Sequence, residues 1–116
     1  ELQDRLIEFA VQVIRLCSGL PGNVVVKHLS VQLLRSATSP AANYGEARAA
    51  ESRSDFIHKL RICLKELNES AVWLQMLQRS ELVEADKADG LLQECGELQR
   101  IIGSSIRTAQ ERSSNR

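Results

Sequence analysis

The stretch FIHKLRICLKELNESAVWLQML, residues 56–77, decides the fold. Its apolar and small residues recur in alternating steps of four and three, at Phe56, Leu60, Cys63, Leu67, Ser70, Leu74 and Leu77. This spacing places them on one face of a helix, and the stretch contains neither Pro nor Gly. The pattern therefore predicts a bundle helix over residues 54–78, with Ser54 as its N-cap.

Three other segments show helical spacing and predict helices over residues 2–19, 23–44 and 84–111. The strongest break between segments is Pro21-Gly22-Asn23. The β-branched run VVV at 24–26 also fits a strand. We favour a helix because Val26, Leu29 and Leu33 keep helical spacing and no second strand is available for pairing. The polar residues 112–116 predict a frayed tail.

Four helices with short connections predict an all-α, antiparallel up-down four-helix bundle that forms one domain over residues 1–111 of the 116. Pro40 lies inside the second helix, where it removes a backbone donor, so we expect a kink there. Gly45 fits the C-cap of that helix. Gly96 and Gly103 share one face of the fourth helix and predict a close approach of a neighbouring helix.

The composition limits the classes of function. Lys and Arg number 15 and so do Asp and Glu, and this balance argues against strong non-specific binding to nucleic acid or to acidic membranes. No apolar run is long enough to span a bilayer. Cys17, Cys63 and Cys95 are odd in number and lie within apolar patterns, which indicates buried thiols in a reducing, cytoplasmic compartment.

The sequence shows no pattern of a catalytic, cofactor or metal site. His28 and His58 have no His or Glu at metal-ligand spacing, and the Glu-x-x-His pairs of ferritin-like di-iron bundles are missing. Glycines form no phosphate-binding loop. A cysteine–histidine dyad would have to form between helices. We therefore predict that the protein is not an enzyme.

Two surfaces are candidates for contact with partners. The middle of the chain is rich in basic residues, and the possible nucleic-acid contacts are Arg35, Arg48, Arg53, Lys59 and Arg61. An ordinary solvated face explains the same residues. Apolar positions beyond a single stripe suggest an interface between subunits, formed by Ile7, Val11, Ile14 and Trp73. A thick core explains them equally.

The stretch QLLRSATSPAANYGE, residues 32–46, resembles the signature of the bacterial four helix bundle protein family. That family includes the protein encoded within intervening sequences of 23S ribosomal RNA genes. The resemblance extends to Phe56, Ile57 and Leu60 and to Glu66 and Glu69 in the third helix, and it covers nearly the whole chain. It also reaches the accessory variability determinant of diversity-generating retroelements, which resembles a basic pentameric barrel that contacts nucleic acid and a reverse transcriptase.

The resemblance implies a homo-oligomer, specifically a pentamer, without enzymatic activity or cofactor. Within its motif we interpret Pro40, Asn43 and Gly45 as structural residues. Pro40 frees the carbonyl of Ser36, and the side chains of Asn43, Arg35 or Ser39 are candidates to satisfy it. The leading hypothesis is an oligomeric scaffold or adaptor that binds protein or RNA. The alternative is a nucleic-acid-binding accessory protein of a retroelement-type system.

Overall fold

A computed structural model describes the backbone of residues 1–114 and the side chains of residues 1–112. It contains four helices: α1 (Leu2–Ser18), α2 (Val24–Arg48), α3 (Arg53–Arg79) and α4 (Ala85–Ser114). Within this part of the chain there is no strand. The predicted all-α four-helix bundle is confirmed. The antiparallel order of the helices and the kink at Pro40 stay predictions.

The valine run belongs to the first turns of α2. The Asn23 side chain caps this helix by accepting a hydrogen bond from the Val26 backbone N–H at 2.9 Å. Val26 is buried, whereas Val24 and Val25 are exposed. Tertiary burial of one helix face therefore outweighs the β preference of the run.

The end of α2 differs from the prediction. Gly45 was expected to be the C-cap, but α2 continues through it and ends at Arg48, with Ala49 as the cap. Gly45 has no positive φ, so its backbone is not in the conformation that a glycine cap provides. The additional turn buries Ala47, which is 1% exposed. The connection to α3 is thus only four residues long, 49–52.

Two further helix ends also differ. Ser52 caps α3 by accepting a hydrogen bond from the Asp55 backbone N–H at 3.0 Å, so the predicted cap at Ser54 is wrong. Helix α4 continues past residue 111 to Ser114, and the predicted frayed tail is helical over 112–114. Residues 115 and 116 of that tail lie outside the described residues.

The core is aliphatic and follows the predicted stripes. On α3, the stripe from Leu60 to Leu77 is buried at each of its six positions, whereas Phe56 is half-buried. Burial of one leucine side chain contributes about 1.5–3 kcal/mol, so this stripe is a large part of the stabilising free energy. The molecule is a rod with extents of 53 × 21 × 21 Å.

The helices do not pack equally on one another. Helix α2 lies against both α1 and α3, and α3 lies against α4. The backbones of α1 and α4 come close over only a short stretch, although Arg5 pairs with Glu94 between them at 2.6 Å. Near the start of α1, the Gln3 side-chain amide donates to the Ala41 carbonyl at 2.9 Å. Helix α1 has 17 residues and α4 has 30, so α1 is too short to cover the whole length of α4. This imbalance leaves an opening between them.

Candidate interaction surfaces

The proline motif of α2 is buried against α3. Pro40 is among the fully buried side chains, and the Cys63 thiol donates to the Pro40 carbonyl at a sulfur–oxygen distance of 3.4 Å. One turn earlier, Ser36 Oγ lies 2.9 Å from Ser70 Oγ on α3. The motif thus makes polar contacts between two helices in an otherwise apolar core, which is a structural arrangement.

The Asn43 side chain does not bind the Ser36 carbonyl, which it was expected to satisfy. Its side-chain amide donates to the Ser39 carbonyl at 3.1 Å and to Ser39 Oγ at 2.9 Å, not to the carbonyl of Ser36. Arg35 is also directed elsewhere, toward Glu66 and Glu69. The expectation that either residue satisfies Ser36 is therefore wrong. Helical geometry explains the difference, because a side chain four residues ahead reaches the carbonyl of its own preceding turn.

Gly45 lies beside α1. A Cβ atom at Gly45 would meet Gln3 Oε1 at 3.6 Å, which is an ordinary van der Waals distance. The start of α1 therefore packs closely on the last turns of α2. Gln3 is held there by its hydrogen bond to Ala41.

Three of the five basic residues that were candidates for nucleic-acid contact have carboxylates close by. Arg35 pairs with Glu66 at 3.4 Å and with Glu69, Arg48 lies 3.8 Å from Glu1, and Lys59 lies 3.7 Å from Glu46. These pairs reduce the positive field that phosphate binding requires. The basic residues of α2 and α3 are thus partly neutralised within the chain.

The other two basic residues lie on α3. Arg53 is the first residue of α3 and is half-buried, whereas Arg61 is exposed. Arg61 lines a shallow recess with Ser54, Ile57 and His58, all from the same helix. The structure does not gather the five predicted cations into one groove, and their contact with nucleic acid stays a prediction.

Trp73 and its neighbours form a polar cluster at the edge of α2 and α3. The indole Nε1–H donates to Glu69 at 2.9 Å, and Arg35 pairs with the same carboxylate. The His28 ring meets the indole edge-on, with centroids 6.2 Å apart and an interplanar angle of 82°. The hydrogen bond from Trp73, followed by the charge of Arg35, lowers the pKa of Glu69 below its ordinary value, against a partial desolvation that raises it. Glu69 thus stays ionised and orients Trp73.

The predicted interface residues of α1 lie on its outer face. Ile7 and Ile14 are 45% and 43% exposed, and Val11 between them is half-buried. Trp73 is half-buried on α3, away from these three residues in the chain. The surplus apolar positions of α1 are thus at the surface, not in a thick core. Their contact with another subunit stays a prediction.

A larger set of exposed apolar side chains on α2 and α3 was not predicted from the sequence. It consists of Val24, Val25, Val31, Val72 and Met76. Val24 and Val31 lie within one turn of His28, and Val72 and Met76 lie within one turn of Trp73, so the His28–Trp73 contact brings the two groups together. The valine run carried this signal, since only one of its three residues fits the core stripe.

The three thiols differ in their surroundings. Cys63 and Cys95 are buried, and burial raises the pKa of each to about 12. The Cys95 thiol donates to the Leu67 carbonyl at 3.2 Å. Cys17 is half-buried, and burial also raises its pKa. All three are free cysteines in positions that suppress thiolate chemistry.

A cleft of about 780 Å³ lies between α1 and α4, at the end of the bundle where the α1–α2 and α3–α4 connections meet. Its walls come from Phe9 and Leu16 on α1, from Leu82 and Val83 after α3, and from Leu91 on α4. Leu16 and Leu91 are at helical spacing from the buried Val13 and Ala88, yet both are only half-buried. The gap between α1 and α4 exposes them, and periodicity within a helix carries no information on such a gap.

The sequence profile described as 23S rRNA-intervening sequence protein matches residues 1–104. The chain belongs to the 23S rRNA-intervening sequence protein family. A crystal structure of a protein with unknown function from the S23 ribosomal protein family of Bacteroides thetaiotaomicron is similar, with a TM-score of 0.83 and 36% sequence identity. The match covers 91% of this chain and 98% of that one. None of the curated proteins matches the chain.

In this member of the 23S rRNA-intervening sequence protein family, the chemistry-bearing side chains are dispersed. Across the described residues, no three His, Cys, Asp or Glu side chains are grouped so that they could hold a metal ion. Over the same residues, no helix combines the length and apolar character that crossing a membrane requires. The features that remain as candidates for function are surfaces: the exposed apolar faces of α1, α2 and α3, and the cleft beside α1.

Proposed function

We propose that this member of the 23S rRNA-intervening sequence protein family is a non-enzymatic, homo-oligomeric scaffold or adaptor. The observation that carries the proposal is the distribution of exposed large apolar side chains. Among the described residues there are seven, at Ile7, Ile14, Val24, Val25, Val31, Val72 and Met76. All lie on α1, α2 and α3 and none on α4, and we refer to these exposed residues together as the apolar side.

Single exposed apolar residues are ordinary on protein surfaces, but a concentrated set around a half-buried tryptophan is typical of interfaces. Trp73 supplies the aromatic anchor, and Arg35 and Glu69 supply an ordered ion pair beside it. Tryptophan and arginine are the residue types that most often dominate interface energetics. We therefore place the subunit contact on the surface around Trp73 and on the outer face of α1 with Ile7, Val11 and Ile14. A pentamer, cytoplasmic location and capture of a partner protein or RNA complete the proposal.

Light scattering on the purified chain tests the assembly. We expect a mass several times the 12.9 kDa of one chain, and five times that mass for the pentamer. Val31→Lys places a charge on the apolar side and should yield the monomer. Ser104→Lys, at an exposed position of α4, is the matched control and should leave the mass unchanged. A monomeric wild-type protein at micromolar concentration would contradict the proposal.

Binding of nucleic acid has a separate test. If the basic residues contact phosphates, retention of structured RNA should fall steeply with added salt. Arg61→Ala should weaken it, because Arg61 is an exposed cation of the candidate set. No retention of structured RNA or duplex DNA at low salt would eliminate this part of the adaptor role and leave protein partners.

A further inference from the structure

The cleft between α1 and α4 has an apolar floor that the bundle leaves uncovered. Phe9 and Val83 are buried at its base, whereas Leu16, Leu82 and Leu91 are half-buried along its walls. Its volume of about 780 Å³ is roughly that of two turns of an α-helix, taken as a cylinder with a diameter near 10 Å. The cleft is thus large enough for one face of a helix.

Gly90 on α4 lines this cleft, and nothing inside the chain explains it. A Cβ atom built on Gly90 would have no atom within 4 Å. Glycine inside a helix costs about 0.5–1 kcal/mol relative to alanine, so an internal contact is the usual reason for it. At Gly96 and Gly103, an added Cβ would have only a guanidinium nitrogen of the same helix within 4 Å, at 3.6 Å, which corrects the expectation that these glycines admit a neighbouring helix. Gly90 leaves open space at the wall of the cleft, which a side chain at this position would occupy.

The charges at the cleft have an acidic excess. Glu8, Glu84, Asp86 and Glu94 line it together with Arg15 and Lys87. Arg5 on α1 pairs with Glu94 at 2.6 Å, so the excess over these seven groups is one negative charge. A recess with low-dielectric walls concentrates such a field and favours a cationic partner. The chain as a whole has no net charge, so this excess is a local property of the cleft.

We propose that this cleft binds a basic amphipathic helix of a partner protein. Leucine-sized side chains spaced at helical intervals on that helix would cover Leu16, Leu82 and Leu91, and its backbone would approach Gly90. Lysine or arginine side chains beside that face would lie against Glu8 and Asp86. The inference rests on the proposed adaptor role and assigns the partner class to a surface distinct from the apolar side around Trp73.

The test uses a labelled 14-residue peptide with leucine on one helical face and lysine on the other, followed by fluorescence anisotropy with the full chain. A second peptide carries glutamate in place of every lysine. We expect the lysine peptide to bind at least about tenfold more tightly, and added salt to reduce the difference.

Two matched glycine variants locate the binding. Gly90→Leu fills the cleft and should weaken binding of the lysine peptide by about tenfold or more, whereas Gly103→Leu on the same helix should change it by less than about twofold. Circular dichroism confirms that both variants fold. Glu8→Gln combined with Asp86→Asn should weaken binding without affecting the fold.

The proposal is overturned if both peptides bind equally, or if Gly90→Leu binds like the wild type. A third outcome also overturns the proposal: the wild type binds a small apolar dye but not the lysine peptide, and Gly90→Leu abolishes dye binding. That result would assign the cleft to a small molecule. Light scattering on the same samples separates the two proposals. Peptide binding by a monomer would contradict the assembly alone, and an oligomer that ignores the peptide would contradict the cleft alone.

Discussion

Ser70 Oγ lies 2.9 Å from Ser36 Oγ, and both side chains are completely buried between α2 and α3. Each hydroxyl also lies near a backbone carbonyl, Ser36 at 3.2 Å from Leu33 and Ser70 at 2.9 Å from Glu66. Either serine can therefore keep a hydrogen-bond acceptor when the other is removed.

Replacement of either serine by alanine should lower the free energy of unfolding by about 1 kcal/mol. The double variant should lose less than the sum of the two, because the contact between the hydroxyls is removed only once. Urea unfolding followed by circular dichroism measures all three. Ser104→Ala, at an exposed site on α4, is the control and should change stability by less than about 0.5 kcal/mol. Strict additivity would show that the hydroxyl contact contributes nothing.

Gly45→Ala should raise stability by about 0.5–1 kcal/mol, because Gly45 is in the body of α2 and a Cβ there meets only ordinary contacts. The same substitution would be destabilising if Gly45 were a left-handed cap. Thermal unfolding of the variant decides between these outcomes, and a lower melting temperature would contradict the continuous helix.

Thiol reactivity should separate the cysteines. In the folded protein at pH 8, a disulfide reagent should modify Cys17 before the other two cysteines. Cys17 should still react more slowly than a free thiol in solution, since burial raises its pKa. Cys63 and Cys95, with pKa values of about 12, should react at least about a hundredfold more slowly than in urea. Mass spectrometry counts the labels. Rapid triple labelling without denaturant would be incompatible with the buried positions.

Acid should weaken the cluster around Trp73. The pKa of Glu69 is below its ordinary value of 4.5, so its stabilising effect is complete above that pH and is lost as pH falls through the lowered pKa. Glu69→Gln should lower stability at pH 7 by less than about 1 kcal/mol, because the carboxylate is partly exposed. The difference from the wild type should vanish as the pH falls through the lowered pKa of Glu69.

The fluorescence of Trp73, the only tryptophan, reports this loss. Glu111→Gln, at an exposed site on α4, is the control and should follow the wild-type curve. An acid transition in Glu69→Gln that matches the wild type would show that another group controls it.

Local pattern was enough to predict the helices. The α3 stripe fixed one buried face, and Pro21-Gly22-Asn23 marked a true connection, because both signals depend on neighbouring residues. The predicted end of α2 was wrong because of contacts outside that helix. Burial of Ala47 and packing of Gln3 favour another turn past Gly45. Sequence alone contains no measure of such tertiary contacts.

The candidate surfaces were less predictable. In the sequence, Arg35, Arg48 and Lys59 predicted a basic face, because the carboxylates that neutralise two of them are far away in the chain. Arg35 pairs with Glu66 and Glu69 on α3, and Arg48 pairs with Glu1. Exposure of Val24 and Val31 was hidden because an apolar residue has the same identity in a core and at an interface. The cleft was missed because it results from the separation of two whole helices.

The slight contact of α1 with α4 also bears on how the protein opens and folds. Most of its packing joins helices that are consecutive in the chain, and such local topologies fold rapidly. Helices α2 and α3 share the most extensive packing and the buried polar contacts, so we expect this pair to form first. Helix α1 has the least helix packing of the four, although Arg5 joins it to Glu94 on α4, so its amides should exchange with deuterium through partial opening, well before those of α3. The helix that borders the cleft is thus also the one that can move aside at the lowest cost.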